Sequence, residues 1–276
     1  MAADAAGPAT APEAAALIVA NDLTQRMTRY LDRHMILPIL DFLQKRRVYD
    51  PSDMDRAKME VLSRTNMVDF AMDIYKSLHS TDQVPPNLTD RREHVVATMA
   101  SLEAEVKPIL ELVSDVARVA ELQREHCFTQ AYLASELSIT PQHIAVLHRY
   151  AKFVYDCGDY AAASNLLVHF RQLTTDTEAS FSALWGKLSA AVLTQSWDDA
   201  LEAMLALKEA IEARTHTPAA MQLQQRVWLM HWSLFLLGNH PNGRAIVADL
   251  MLQVTRLYFT LLHFASLRFT SLHFTH

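Results

Sequence analysis

A chain of 276 residues, half of them hydrophobic, is long enough for one large domain or two ordinary ones around a real core. It carries only five glycines and neither a GxGxxG nor a GxxxxGK[ST] pattern, which argues against a nucleotide-binding α/β fold and against many-stranded β architectures. A net charge of −6 is not the basic footprint of a nucleic-acid binder, and no run of 18 apolar residues is present to form a transmembrane helix.

Residues 1–20 are rich in Ala and Pro, with Asp4 and Glu13 and no basic residue. A secretory signal needs a positive n-region and a mitochondrial peptide needs Arg, so the stretch reads as a disordered extension. Asn21-Asp22 can cap a helix on which Leu23, Met27, Tyr30, Leu31 and His34 form one stripe. Pro38 is expected to end or kink that helix and to open the next, Ile39 to Gln44. The turn Tyr49-Asp50-Pro51-Ser52 breaks the chain, and Asp53 or Asp55 opens a helix to about Arg64. Asn66 is the next expected cap, with Asp69 three residues on and a stripe of Val68, Met72 and Tyr75. After the loop Val84-Pro85-Pro86-Asn87, one helix is expected over Arg91–Lys107, stopping before Pro108, and another over Ile109 to about Leu122. Gln123–Pro141 is weakly patterned.

From Gln142 the pattern sharpens into hairpins. Helices break at Gly158-Asp159-Tyr160, at Gln195-Ser196-Trp197 and at Gly238-Asn239-His240-Pro241. Small residues sit where neighbours cross closely. This spacing predicts an all-α fold, a right-handed superhelical stack of helical hairpins of the tetratricopeptide or HEAT type. The last residues repeat in fives (Leu257, Leu262, Leu267, Leu272, each followed two residues on by Phe), which matches neither the helix nor the strand period. The expectation is a non-native low-complexity tail over 254–276, with the authentic reading frame ending near Gln253.

The residues that could carry chemistry do not assemble into a motif. The histidines are scattered, with no HExxH or CxxC pair, and His143 and His148 fall on different helix faces. There is no GxSxG elbow, and Cys157 lies at a helix C-terminus, which does not activate a thiol. Cys127 and Cys157 suit a reducing compartment. Asp198-Asp199, Glu103 and Glu105 read as solvated helix faces, and so do Lys45-Arg46-Arg47 and Arg91-Arg92. Trp185, Trp197, Trp228 and Trp232 could stack bases, but helix–helix core is the expected use. No catalytic, cofactor-binding or metal-binding residue is therefore assigned. His34, Asp69 and Trp232 are expected to serve the fold.

Three strings carry a family resemblance. They are Asp22-Leu-Thr-Gln-Arg-Met-Thr-Arg-Tyr-Leu-Asp-Arg-His34, Leu62-Ser-Arg-Thr-Asn-Met-Val-Asp-Phe-Ala-Met-Asp-Ile-Tyr75, and Leu223-Gln-Gln-Arg-Val-Trp-Leu-Met-His-Trp-Ser-Leu-Phe235 with Asn239-His-Pro-Asn-Gly-Arg244. With Arg149-Tyr-Ala-Lys-Phe153 and Leu184-Trp-Gly-Lys-Leu188, the stretch Asp22–Leu252 resembles the family of the e subunit of eukaryotic translation initiation factor 3, within the PCI-domain proteins. The resemblance implies the N-terminal part of a PCI-family protein: helical region 21–140, then repeats over 141–253 leading into a PCI domain cut before its winged helix. It implies a non-enzymatic, cytoplasmic (or also nuclear) scaffold with no cofactor. That scaffold would help bring mRNA and the cap-binding complex to the 40S ribosomal subunit. The implied partners are other factor-3 subunits, notably the d subunit, the 40S ribosomal subunit and eIF4G, with no sequence-specific nucleic acid and no membrane. The alternatives are a scaffold of a sister PCI complex (proteasome lid or COP9 signalosome) and a direct RNA-binding module.

Overall fold

The computed structural model describes residues 16, 17 and 19–252; the expected disorder of 1–15 and the expected tail of 254–276 lie outside the described residues. Among the described residues every regular element is helical and none is a strand, as the all-α expectation required. Residues 16, 17, 19 and 20 are helical too. The chain divides into two compact units.

The first unit comprises Met1–Ala97 with Asp156–Gly158. It contains a short helical turn, α1 (Thr24–Met27), a 3-10 turn (Thr28–Tyr30), α2 (Arg33–Lys45), α3 (Pro51–Leu62), α4 (Val68–His79) and the beginning of α5 (Pro86–Ser114). The expected single stripe from Leu23 to His34 is broken. Leu31 is extended, and Asp32 starts a new helix by accepting a hydrogen bond from the His34 amide at 2.9 Å. Pro38 therefore lies inside α2, flanked by the buried Leu37 and Leu40, whose packing outweighs the missing N–H. Asp50-Pro51 starts α3 where a break followed by a start at Asp53 or Asp55 was expected. Asp50 caps Ser52 N at 2.8 Å, and Pro51 sits at the position where its absent N–H costs nothing.

Asn66 does not cap α4. Its backbone N–H donates to Asp156 O at 2.9 Å instead, and α4 begins at Val68 without a side-chain cap. The carbonyls left open after α3 are satisfied by guanidinium groups: Arg91 donates to Leu62 O (3.1 Å) and to Thr65 O, and Arg33 to Arg64 O. Beside them His34, 1% exposed, places Nε2 3.1 Å from Asp156 Oδ1. Gly158 follows at φ +96°, a region L side chains avoid, with Met67 Cε 3.0 Å from where a Cβ would stand. The core of this unit is two apolar groups, Leu37–Leu62–Ala71–Ile74 and Leu40–Leu43–Met54. The buried Lys58 is tolerated because its ammonium reaches Asp41 and, at 2.5 Å, Gln44 Oε1.

The second unit, Thr98–Tyr155 with Asp159 onward, holds the rest of α5 and then α6 (Val116–Arg124), α7 (Gln130–Glu136), α8 (Pro141–Asp156) and α9 (Tyr160–Leu173). It continues with α10 (Thr177–Leu193), α11 (Trp197–Ala213), α12 (Ala219–Leu237) and a last helix, α13, over residues 243–252. The helix expected to stop before Pro108 runs through it. Leu102, Val106, Ile109 and Leu112 keep one buried face across the proline, and that burial offsets the roughly 3 kcal/mol a helix-interior proline costs. Side chains of Asp115, Thr129, Asp159 and Asp176 cap α6, α7, α9 and α10. Three-residue turns bring α10 back onto α9 and α11 onto α10, with the second closed by Gln195 at φ +60°. Fully buried Ala163, Ala190 and Ala200 permit the close crossings, and a Cβ on Gly186 would lie 2.8 Å from Leu167 Cδ1.

Candidate functional site

The groups that could do chemistry are each occupied in the fold. Among the described residues there is no group of three or more His, Cys, Asp or Glu placed to hold a metal ion. The histidines that sequence scatters stay apart, except that His148 and His169 share one apolar neighbourhood. His148 stacks on Phe170 at 4.4 Å, and His169 meets Phe128 edge-on at 6.2 Å. Burial, helped by the Lys152 charge, pushes His148 down to about 4, and burial also lowers His169, so both rings are neutral at neutral pH. His143 Nδ1 accepts the Thr140 amide at 3.1 Å, and His240 Nε2 stands 3.2 Å from Asp198 Oδ1. Both cysteines are free thiols. Burial, and then the neighbouring Asp156 charge, raise Cys157 to about 11, the opposite of what a nucleophile needs.

Three of the four tryptophans meet. Trp185 on α10 lies edge-to-face with Trp232 (4.9 Å) and Trp228 (6.4 Å) on α12, and Phe181 extends the row to the Arg214 guanidinium, 4.4 Å from its ring. Perpendicular rings between two helices are core packing, not a ladder of parallel faces for bases. Trp197 opens α11 outside this cluster.

What the first unit does present is a groove. Leu17, Leu23 and Met27 line one part of it and Ile39, Phe42 and Leu43 of α2 another, around about 570 Å³ of space. Leu17 is 63% exposed, and Leu23 and Phe42 are each 52% exposed. Such a run of large apolar side chains on one small face marks an interaction surface more often than chance exposure. Asp22 fixes the geometry. It accepts from Thr24 N (2.8 Å) and from the Tyr49 hydroxyl (2.8 Å), tying the chain before α1 to the α2–α3 turn. Burial would raise its carboxyl, but the hydrogen bonds from Thr24 and Tyr49 outweigh that and hold it below the usual value. A second cavity of about 680 Å³ adjoins on the far side of Asp22, between the 3-10 turn, α2 and α3, with Arg29, Arg33, Glu60 and Arg64 among its lining. Sequence reasoning singled out none of the groove residues. Their spacing reads as a helix core stripe, and only the break at Leu31-Asp32 turns that stripe outward. No described helix is long and apolar enough to cross a membrane.

Residues 22–154 match the family described as eIF3 subunit 6 N terminal domain. Over 232 residues the chain is 41% identical to the E subunit of eukaryotic translation initiation factor 3 from Arabidopsis thaliana, covering 84% of this chain and 53% of the relative. It is 39% identical over 237 residues to the protein of that name in Schizosaccharomyces pombe (85% and 47%) and 37% identical over 230 residues to that of Yarrowia lipolytica (83% and 54%). The chain thus spans about half the length of the relatives it matches.

Proposed function

We propose that this chain, which belongs to the E-subunit family of eukaryotic translation initiation factor 3, acts as a non-catalytic scaffold subunit of that factor. In this reading it works in the cytoplasm by holding other factor-3 subunits, the d subunit among them, and so helps bring mRNA and the cap-binding complex, through eIF4G, to the 40S ribosomal subunit. The observation that carries the reading is the match over 22–154, because it includes the unit that displays the apolar groove. A scaffold needs a preformed, partly apolar surface and no activated group. Its titratable residues are tied up in caps and buried neutral rings, which fits that requirement. The helical-repeat portion of the second unit, 141–253, would lead toward the PCI part of the longer relatives.

The test is co-purification of the tagged 276-residue chain with the recombinant d subunit. A stable complex that Leu23→Glu abolishes supports the reading. A chain that purifies alone at micromolar concentrations of the d subunit contradicts it.

A further inference from the structure

The groove of the first unit has a charged rim whose sign points to its occupant. Residues 22–47 carry six bases and three acids in a chain whose net charge is −6. The three acids are consumed inside the fold: Asp22 by Thr24 and Tyr49, Asp32 by the His34 amide, and Asp41 by Lys58. Five of the bases are exposed (Arg26, Arg29, Lys45, Arg46 and Arg47), and none has a carboxylate partner among the described residues. Arg46 lies over the Phe42 ring at 5.4 Å, so this charge stands directly on the wall of the groove. Arg26 precedes Met27 on the other wall.

We propose that this groove is the docking site for an amphipathic helix of another protein that carries acidic residues beside its apolar stripe. An aliphatic trough with cations at its edge takes apolar anchors in the centre and carboxylates at the rim. Neither end of this chain has the composition to fill it. Residues 1–15 contain no large apolar side chain apart from Met1, and residues 253–276 contain two arginines and no acid, the same sign as the rim. Single-stranded RNA fits poorly, because it needs exposed aromatic faces. Phe42 is the one aromatic ring lining the groove, and Arg46 already covers it. The proposal rests on the docking reading above only in taking the occupant from a second polypeptide. It does not depend on which complex supplies it.

The experiment uses the full 276-residue chain and two fluorescein-labelled synthetic helices. Both carry leucines at i, i+3, i+4 and i+7; one has glutamates and the other lysines at the flanking positions. The glutamate peptide is expected to bind at least about tenfold tighter than the lysine peptide at low salt, with the difference shrinking as salt screens the rim. Phe42→Glu, at a half-exposed position that leaves the helical circular-dichroism signal intact, is expected to abolish binding. The double change Arg26→Glu with Arg46→Glu is expected to reverse the preference toward the lysine peptide. Equal binding of the two peptides, indifference to Phe42→Glu, a 12-mer oligouridylate that competes the glutamate peptide off, or a dimer of the chain that Phe42→Glu dissolves would each overturn the proposal. A chain that binds the glutamate peptide but not the d subunit would remove the factor-3 assignment and leave this inference standing; the reverse pattern would do the opposite.

Discussion

Gly243 is the position where one methyl group should do the most damage. It opens α13, after the turn that follows Gly238, and its N–H donates to His240 O at 2.9 Å. A Cβ there would stand 2.7 Å from the Leu236 carbonyl carbon and closer still to its oxygen, both backbone atoms of α12 that cannot rotate away. Carbon atoms rest at about 3.5 Å, so the start of α13 must move by roughly 1 Å. If the turn absorbs the shift, strain of this kind costs about 1–3 kcal/mol. If α13 lifts off, Val247 and Leu250, 3% and 5% exposed, lose their burial at about 1.5–3 kcal/mol each. The Gly243→Ala loss therefore falls at about 2–3 kcal/mol and cannot exceed about 6. Gly238→Ala is the control, because nothing lies within 4 Å of its Cβ and its φ is −103°. It should be neutral or stabilise by up to about 1 kcal/mol through the unfolded chain. Native-state hydrogen exchange at the Val247 and Leu250 amides reads the local effect without assuming that two compact units melt as one. Equal protection in the two variants would refute the reasoning.

Three further outcomes follow from the second unit and from Cys157. His148 is held at about 4 when folded and titrates near 6.5 when unfolded, so the unfolded chain binds the proton first. Stability is then full above pH 6.5 and falls as pH drops toward 4, by up to about 3 kcal/mol before discounting for the ring's partial exposure. Urea midpoints should show a shallower loss over that range in His148→Gln, and an unchanged pH profile would contradict this. Trp232→Ala, at 9% exposure and 4.9 Å from Trp185, should lower stability by about 3–5 kcal/mol, and Trp228→Ala, at 36% exposure, by clearly less. A larger loss at Trp228 would reverse the burial argument. Cys157, raised to about 11, should react with iodoacetamide at pH 8 at least about a hundredfold more slowly in the native chain than in urea, as followed by mass spectrometry.

The hairpins of the second unit were legible because their breaks are local chemistry. Gly158, at φ +96°, sits where Asp159 then caps α9. Gln195-Ser196 separates α10 from α11, and Gly238 ends α12, all within a residue or two of the expected breaks. The misplaced boundaries are those that tertiary contacts decide. Pro38 and Pro108 read as helix ends in sequence, yet both lie within helices because buried leucine, valine and isoleucine side chains flank them on the same face. Asn66 looked like a cap, but its amide is claimed by Asp156, ninety residues away in sequence, and no local pattern can signal that bond. The groove was hidden for a similar reason. Leu23 and Met27 continue the stripe of His34 on a helical wheel, and the Asp32 cap that interrupts it resembles any other acid in the run. Its charged rim was visible as Lys45-Arg46-Arg47, which reads as a solvated helix end until the fold shows that the nearby acids are already spent.

Affinity capture of the tagged chain from a eukaryotic cell extract, with quantitative mass spectrometry, tests the central claim most directly. The account predicts enrichment of translation initiation factor 3 subunits, with the d subunit among the most abundant and reduced by Leu23→Glu. Enrichment of proteasome-lid or signalosome subunits in their place, or recovery of the chain with no factor-3 subunit, would contradict it.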